Sequence, residues 1–254
     1  MKAQICMPSY RGLSPRMPRL AAELQQRRGW YWPEDIGQGS SDIGKARDAM
    51  ASHFVLNSDL PWTFWADDDM IIDYGKVALA LAYARSHGLD VMGIIAPPGN
   101  KGSRTYACQL DPADYDTRED GRRVVRFGPK GRHYRAFSIG FGLVFVHRRV
   151  FTELIDSGLA KQCVLTAKED PLIGWEFFPR GAHAGDTMKL ADGRTLPISA
   201  GEDFGFSKLC RLAGIKMHVC TKYRCFHEHL YPYTWEDPWE LPNRAEGDNL
   251  ELLL

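Results

Sequence analysis

Over the first hundred residues, short apolar runs alternate with segments of helical period, and that alternation restricts the chain to an α/β class. Residues 3 to 7 read as a buried strand stopped by the loop-forming cluster Pro8-Ser9-Tyr10-Arg11-Gly12. A helix is expected near 18 to 26, with Leu20, Ala21 and Leu24 on one face. Pro18 suits its first turn, where a missing N–H costs nothing. Residues 30 to 32 read as a second strand. Ala46, Ala49, Met50, His53 and Phe54 then recur at i, i+3, i+4 and i+7, which places Arg47 and Asp48 off the apolar stripe of the next helix. A strand at 62 to 66, a helix at 76 to 86 closed by Gly88, and a strand at 90 to 95 complete the series. Such alternation predicts a mainly parallel sheet with helices on both faces, and ligands at the carboxyl ends of its strands.

The strand at 62 to 66 ends in Asp67-Asp68-Asp69. Consecutive acids at a strand's carboxyl end offer hard oxygen ligands suited to Mg²⁺ or Mn²⁺, and an ion held by one or two carboxylates commonly clamps a diphosphate. If the segment stays extended, Asp67 and Asp69 point one way and Asp68 the other. The alternative is an acidic, solvated turn after a buried strand. A second acidic site opens a helix at Gly201-Glu202-Asp203-Phe204-Gly205-Phe206, whose stripe is Phe206, Leu209, Cys210 and Ala213, stopped by Gly214. Acids in a first turn also serve the helix dipole, so Glu202 and Asp203 read either as chemistry or as capping. After a strand at 215 to 220, His227 and His229 share one face if their segment is extended, as metal ligands or as structural polar groups.

The middle of the chain is less regular. The stretch 121 to 135 carries Arg122, Arg123, Arg126, Lys130, Arg132 and Arg135 with no acid, and residues 138 to 146 read as one central strand containing Gly140 and Gly142. A short helix at 150 to 156 leads into a long, irregular 160 to 201 segment, a candidate lid. Hydrophobic content of 44% and charged content of 25% fit a globule with a sizeable core. Lys plus Arg balances Asp plus Glu at 32 each, so no global field draws the chain to nucleic acid or membrane. The six cysteines include no CxxC pair, which reads as the reduced thiols of a cytosolic protein. Pro8 and Arg11 follow the start too soon for a signal peptide, and no apolar run reaches the roughly 20 residues of a membrane helix.

In order, these pieces resemble a nucleotide-sugar glycosyltransferase of the GT-A fold, in the style of glycosyltransferase family two, with the bacteriophage type as an alternative within it. The likeness runs from residue 3 to about 229. It rests on Met7-Pro8-Ser9-Tyr10, on Ala46-Arg47-Asp48 at a helix start, and on Asp67-Asp68-Asp69 in the place of the DxD motif. It continues through Ile139-Gly140-Phe141-Gly142, Arg148-Arg149-Val150-Phe151, the Gly201 to Phe206 run and His227. The resemblance implies one domain over 1–254: a nucleotide-binding half at 1–100, an acceptor-binding half at 101–230 and a C-terminal tail at 231–254. It implies Mn²⁺ or Mg²⁺ held by Asp69 and His227, with Asp67 and Asp68 on ribose and nucleotide or on the metal through water. Pro8 and Tyr10 would line the base pocket, Arg47 would face the nucleotide, and Arg11 stands where the family usually has Asn. Asp203 would be the general base for inverting transfer from a UDP-linked sugar, supported by Glu202. Retention is the alternative outcome, since some retaining enzymes of this fold carry the same pair. Trp175 and His229 are acceptor-side candidates.

Three other readings compete. A glycosyltransferase acting on modified DNA bases would use the Arg-rich stretch on phosphates, where the alternative is a solvated hairpin. A metal-dependent nucleotidyltransferase would need a Gly-rich, Lys-containing opening loop that is missing here. A non-catalytic module would keep the fold and bind a nucleotide sugar or glycan. The acceptor is accordingly a glycan, a small molecule or a modified base.

Overall fold

The computed structural model describes residues 2–8, 16–27, 29–33, 42–95, 108–166, 171–182, 187–190, 193–227 and 250–253. In chain order the first elements are β1 (Ala3–Cys6), α1 (Arg16–Gln25), β2 (Trp30–Tyr31), α2 (Ile43–Asn57) and β3 (Trp62–Ala66). They are followed by β4 (Met70–Ile71), α3 (Tyr74–Ser86), β5 (Val91–Ile94), β6 (Cys108–Leu110), β7 (Asp116–Thr117), β8 (Arg123–Phe127) and β9 (His133–Ile139). Next come β10 (Leu143–His147), α4 (Arg148–Asp156), β11 (Lys161–Thr166), β12 (Leu172–Glu176), β13 (Thr187–Lys189) and β14 (Thr195–Pro197). The last are α5 (Glu202–Leu212), β15 (Met217–Cys220), β16 (Phe226–His227) and β17 (Leu250–Leu253). Among the described residues, five α-helices accompany a mixed sheet of eight strands, an α/β architecture. No helix among the described residues is long and apolar enough to cross a membrane.

The chain divides into two compact units, and neither is a continuous stretch of sequence. The first comprises residues 1–68 and 146–215. In it β1 pairs in parallel with β2 on one side and β3 on the other, with Gln4, Ile5 and Cys6 opposite Thr63, Phe64 and Trp65. Every residue of β1 and β3 is buried, as the apolar runs predict for strands covered on both faces. α2 is buried almost all round rather than on one stripe: Arg47 and Asp48 are 2% and 5% exposed. They lie off the apolar stripe and are buried all the same, because each charge meets a partner inside the unit. The 160–201 segment is also more regular than expected. β11 and β12 form an antiparallel hairpin with Cys163 opposite Gly174, and β13 and β14 form another with Met188 opposite Leu196.

α2 ends against Arg148, at the start of α4. The guanidinium donates to the carbonyls of Leu60 (3.0 Å), Val55 (3.3 Å), Phe54 (2.9 Å) and Ser58, and lies 4.2 Å from the Phe54 ring centroid. One cation thus satisfies several acceptors at the negative end of the α2 dipole. Arg148→Met is expected to lower the unfolding free energy by about 2–4 kcal/mol. Arg148→Lys should recover less than half of that, because an ammonium lacks the planar fork. Urea denaturation of the three proteins measures both.

The second unit comprises 69–145 and 216–254. β15 lies between β5, parallel, and β9, antiparallel, and β6 adds to β9, so the sheet is mixed rather than mainly parallel. The strand expected at 138–146 is two strands, β9 and β10, interrupted at Gly140 to Gly142. A Cβ at Gly142 would lie 3.2 Å from the Met70 sulfur, so the break lets a side chain approach the backbone. β17 pairs antiparallel with β8, Leu250 opposite Phe127.

A cluster of imidazoles lines this second unit. The Tyr83 hydroxyl lies 3.0 Å from His133 Nδ1, and the His133 ring centroid is 5.2 Å from that of His87 and 5.4 Å from that of His218. Burial, reinforced by His133, pushes His218 down to about 4. An imidazole depressed in the fold gives stability that is present above its unfolded pKa of about 6.5 and lost as the pH falls through about 4. Lowering the pH from 7.5 to 4.5 is expected to remove about 1–3 kcal/mol through this residue, discounted for its partial exposure. Denaturation curves across that window should flatten in His218→Gln.

Candidate functional site

Within the first unit, one buried cation gathers acids that lie far apart in sequence. Arg47 donates from Nη2 to Asp67 Oδ1 at 2.7 Å and from Nη1 to Glu202 Oε1 at 2.6 Å, reaching 20 and 155 positions along the chain. Burial works against the Arg47 charge, but Asp67 and Glu202 outweigh it and leave its pKa raised. The geometry follows from the elements: Asp67 immediately follows β3, Glu202 opens α5, and α2 carries Arg47 between them. Asp67 and Glu202 keep 25% and 19% of their side-chain surface, so they form the rim of the site and Arg47 its floor.

Asp203 stands beside this pair. Burial lifts its pKa above the ordinary carboxylate range, Arg47 draws it back, and Glu202 raises it further. Its Oδ1 accepts from the Phe204 amide at 2.8 Å. Gly201 is the N-cap residue of α5 and offers no side-chain cap, so the two acids complement the helix dipole as well as facing the site. A carboxyl group held between a cation and a second acid has a tunable charge, which suits a proton acceptor.

The strand conformation stops at Ala66, and Asp68 and Asp69 lie in a turn, so the alternation expected for an extended triplet does not apply. Asp68 and Asp69 are each partly exposed. In the second unit β16 pairs antiparallel with β4, His227 opposite Met70. That register brings the backbone of His227 next to the residue that follows Asp69. Among the described residues no group of three or more His, Cys, Asp and Glu side chains is disposed to hold a metal ion.

Pro8 is buried just past β1. Tyr10, Arg11, His229 and the tail up to residue 249 lie outside the described residues. Trp175 is partly exposed on β12, and its amide donates to Ser52 Oγ at 2.9 Å. Three cations of the Arg-rich stretch pair with acids that precede them. Arg132 pairs with Asp116 (3.1 Å) and Asp114 (3.2 Å), Arg135 with Asp111 (3.6 Å) and Arg122 with Asp120 (3.7 Å). Arg132 also lies 4.0 Å from the Tyr134 ring centroid, and Arg123 donates to the Pro112 carbonyl at 3.4 Å.

Two residues already quoted within the motifs have structural roles that the sequence does not show. Asp48 accepts from the amides of Phe177 and Phe178 at 2.7 and 2.9 Å. Arg148 caps α2. The available signal was their charge beside otherwise apolar helical positions.

No protein-family model matches the chain, and no curated protein sequence matches it significantly. Its fold is similar to that in a crystal structure of A197 from STIV, with a TM-score of 0.50 over 96% of this chain and 96% of that one. At 14% identity the likeness is one of fold alone.

Proposed function

We propose that this chain is a GT-A glycosyltransferase that moves a sugar from a nucleoside-diphosphate donor, UDP-linked, to an acceptor hydroxyl with inversion. The observation that carries the reading is the Arg47 bridge. It joins the first acid of the DxD-like triplet to the Glu-Asp pair, the two motifs such a reaction needs in one place. Asp203 takes the proton of the acceptor hydroxyl as its oxygen bonds to the anomeric carbon. The bond from that carbon to the diphosphate breaks, and the nucleoside diphosphate leaves with the electron pair. Glu202, fixed by Arg47, orients the acceptor; Asp67 and Asp68 hold ribose and nucleotide, and Pro8 belongs to the base pocket.

Asp69 and His227 supply one carboxylate and one imidazole, a donor set that fits Mn²⁺ or Mg²⁺ completed by diphosphate oxygens and water. When bound, the ion stabilises the charge that builds on the leaving diphosphate. Arg122, Arg132 and Arg135 already face acids of this unit, which weighs against their use as phosphate contacts with DNA.

The test is a screen of UDP-, GDP- and dTDP-sugars, each with Mn²⁺ or EDTA, read by thermal shift and by release of nucleoside diphosphate. One donor should stabilise the wild type in a metal-dependent way, and Asp69→Ala should lose the effect. No response to any donor would overturn the proposal. Binding without release, unchanged in Asp203→Asn, would replace it with a non-catalytic sugar-nucleotide module.

A further inference from the structure

We propose that Asp48 is a positioning residue for this transfer: it holds the Phe177–Phe178 turn on which α5 is seated, and so fixes where Asp203 stands. The inference rests on the reading of Asp203 as the base. Asp48 is 5% exposed, and a single oxygen, Oδ1, accepts both the Phe177 and Phe178 amides. Burial pushes this carboxyl up to about 7 despite those two donors, and Glu176 and Asp42 add to the rise. A buried acid with so little room to stay charged is a poor choice for stability alone.

What the turn carries explains its cost. The Phe178 ring is stacked on Phe206 of α5, centroids 5.0 Å apart and planes at 17°, and Phe177 meets Phe151 edge-on at 5.0 Å. Gly205 packs so closely on the turn that a Cβ there would fall inside the Pro179 carbonyl oxygen and within 2.8 Å of its carbon. On the opposite side, a Cβ at Gly44 of α2 would stand 3.3 Å from Glu202 Cβ and 3.4 Å from the Phe178 oxygen. α2 therefore grips the start of α5 twice. Arg47 takes the Glu202 side chain directly, and the next residue, Asp48, sets the backbone floor beneath Gly205. Between the two grips sits Asp203.

The experiment compares wild type, Asp48→Ala and Asp48→Asn by steady-state kinetics with the responding donor and by amide hydrogen exchange. In Asp48→Ala, kcat should fall about 10- to 100-fold with the donor KM within twofold, as expected for a misplaced base. The Gly205 amide, which donates to Gly201 at 3.0 Å, should exchange about tenfold faster while the amides of β3 do not change. Asp48→Asn keeps an oxygen for both amides and should restore kcat and protection to within threefold. Unchanged kcat and unchanged Gly205 exchange in Asp48→Ala, or an Asn variant as impaired as Ala, would overturn the proposal. If Asp48→Ala does not fold, Phe178→Leu removes the ring stacked on Phe206 of α5, loosens the same seat without a backbone clash, and should show the same loss confined to kcat. An equal loss in donor binding there would overturn the proposal. A wild type that releases no nucleotide from any donor removes the reaction, while faster Gly205 exchange in Asp48→Ala would still establish the seating.

Discussion

Replacing Arg47 with methionine is expected to lower the unfolding free energy by about 3–5 kcal/mol, the usual cost of breaking a buried ion pair from one side. The guanidinium is 2% exposed, and its loss leaves Asp67 and Glu202 facing each other without a counter-charge. Both acids keep contact with solvent, which places the effect nearer the lower figure. Lysine should rescue little, because a single ammonium cannot span both carboxylates in the geometry of a fork. Adding Asp67→Asn and Glu202→Gln to Arg47→Met should return part of the loss, since the repulsion goes with the charges. Urea denaturation of the single and combined variants gives the coupling energy. Additive losses would contradict a shared network.

Asp203→Asn is expected to lower turnover by about 10²–10⁴-fold while donor-induced stabilisation persists, because the amide cannot accept the acceptor's proton. Burial already disfavours the Asp203 charge, so the neutral amide should leave stability unchanged or slightly raised, and a lost rate is then not a lost fold. The sign of the pH dependence follows from the same environment. Only the deprotonated carboxylate works as base, so activity should rise with pH along a limb displaced above the ordinary carboxylate range. In an enzyme retaining residual turnover through Asp203→Asn, that limb should disappear. Rate profiles over pH 4 to 8 with saturating donor measure it.

The helices and the parallel strands were legible because their signal is local. Periodicity of apolar residues placed α2, α3, α5 and the strands β1, β3 and β5 to within a few residues. Asp67, Glu202 and Asp203, the acids gathered around Arg47, stand out in sequence as parts of two acidic motifs, but what joins them does not. Arg47 and Asp48 break the apolar period of α2, and a pattern rule sends such residues to solvent. Their burial depends on Glu202, Phe177 and Phe178, which lie 129 to 155 positions away, and no window of sequence contains both ends. The hairpin β13–β14 escaped for the opposite reason: its strands are exposed throughout and carry no core pattern to detect. The break at Gly140 to Gly142 was hidden within a run apolar enough to pass for one strand.

The division of the first unit into residues 1–68 and 146–215 has a consequence for how the chain is made. On the ribosome, β1, α2 and β3 emerge early, but the Glu202 partner of Arg47 is synthesised 155 residues later. Until then the guanidinium has Asp67 but not the second acid, and Asp48 waits for the amides of 177 and 178. Native closure of this unit is therefore a late event with long loops to draw in, which slows folding. A nascent chain halted before residue 202 keeps the first acidic motif without its counterpart.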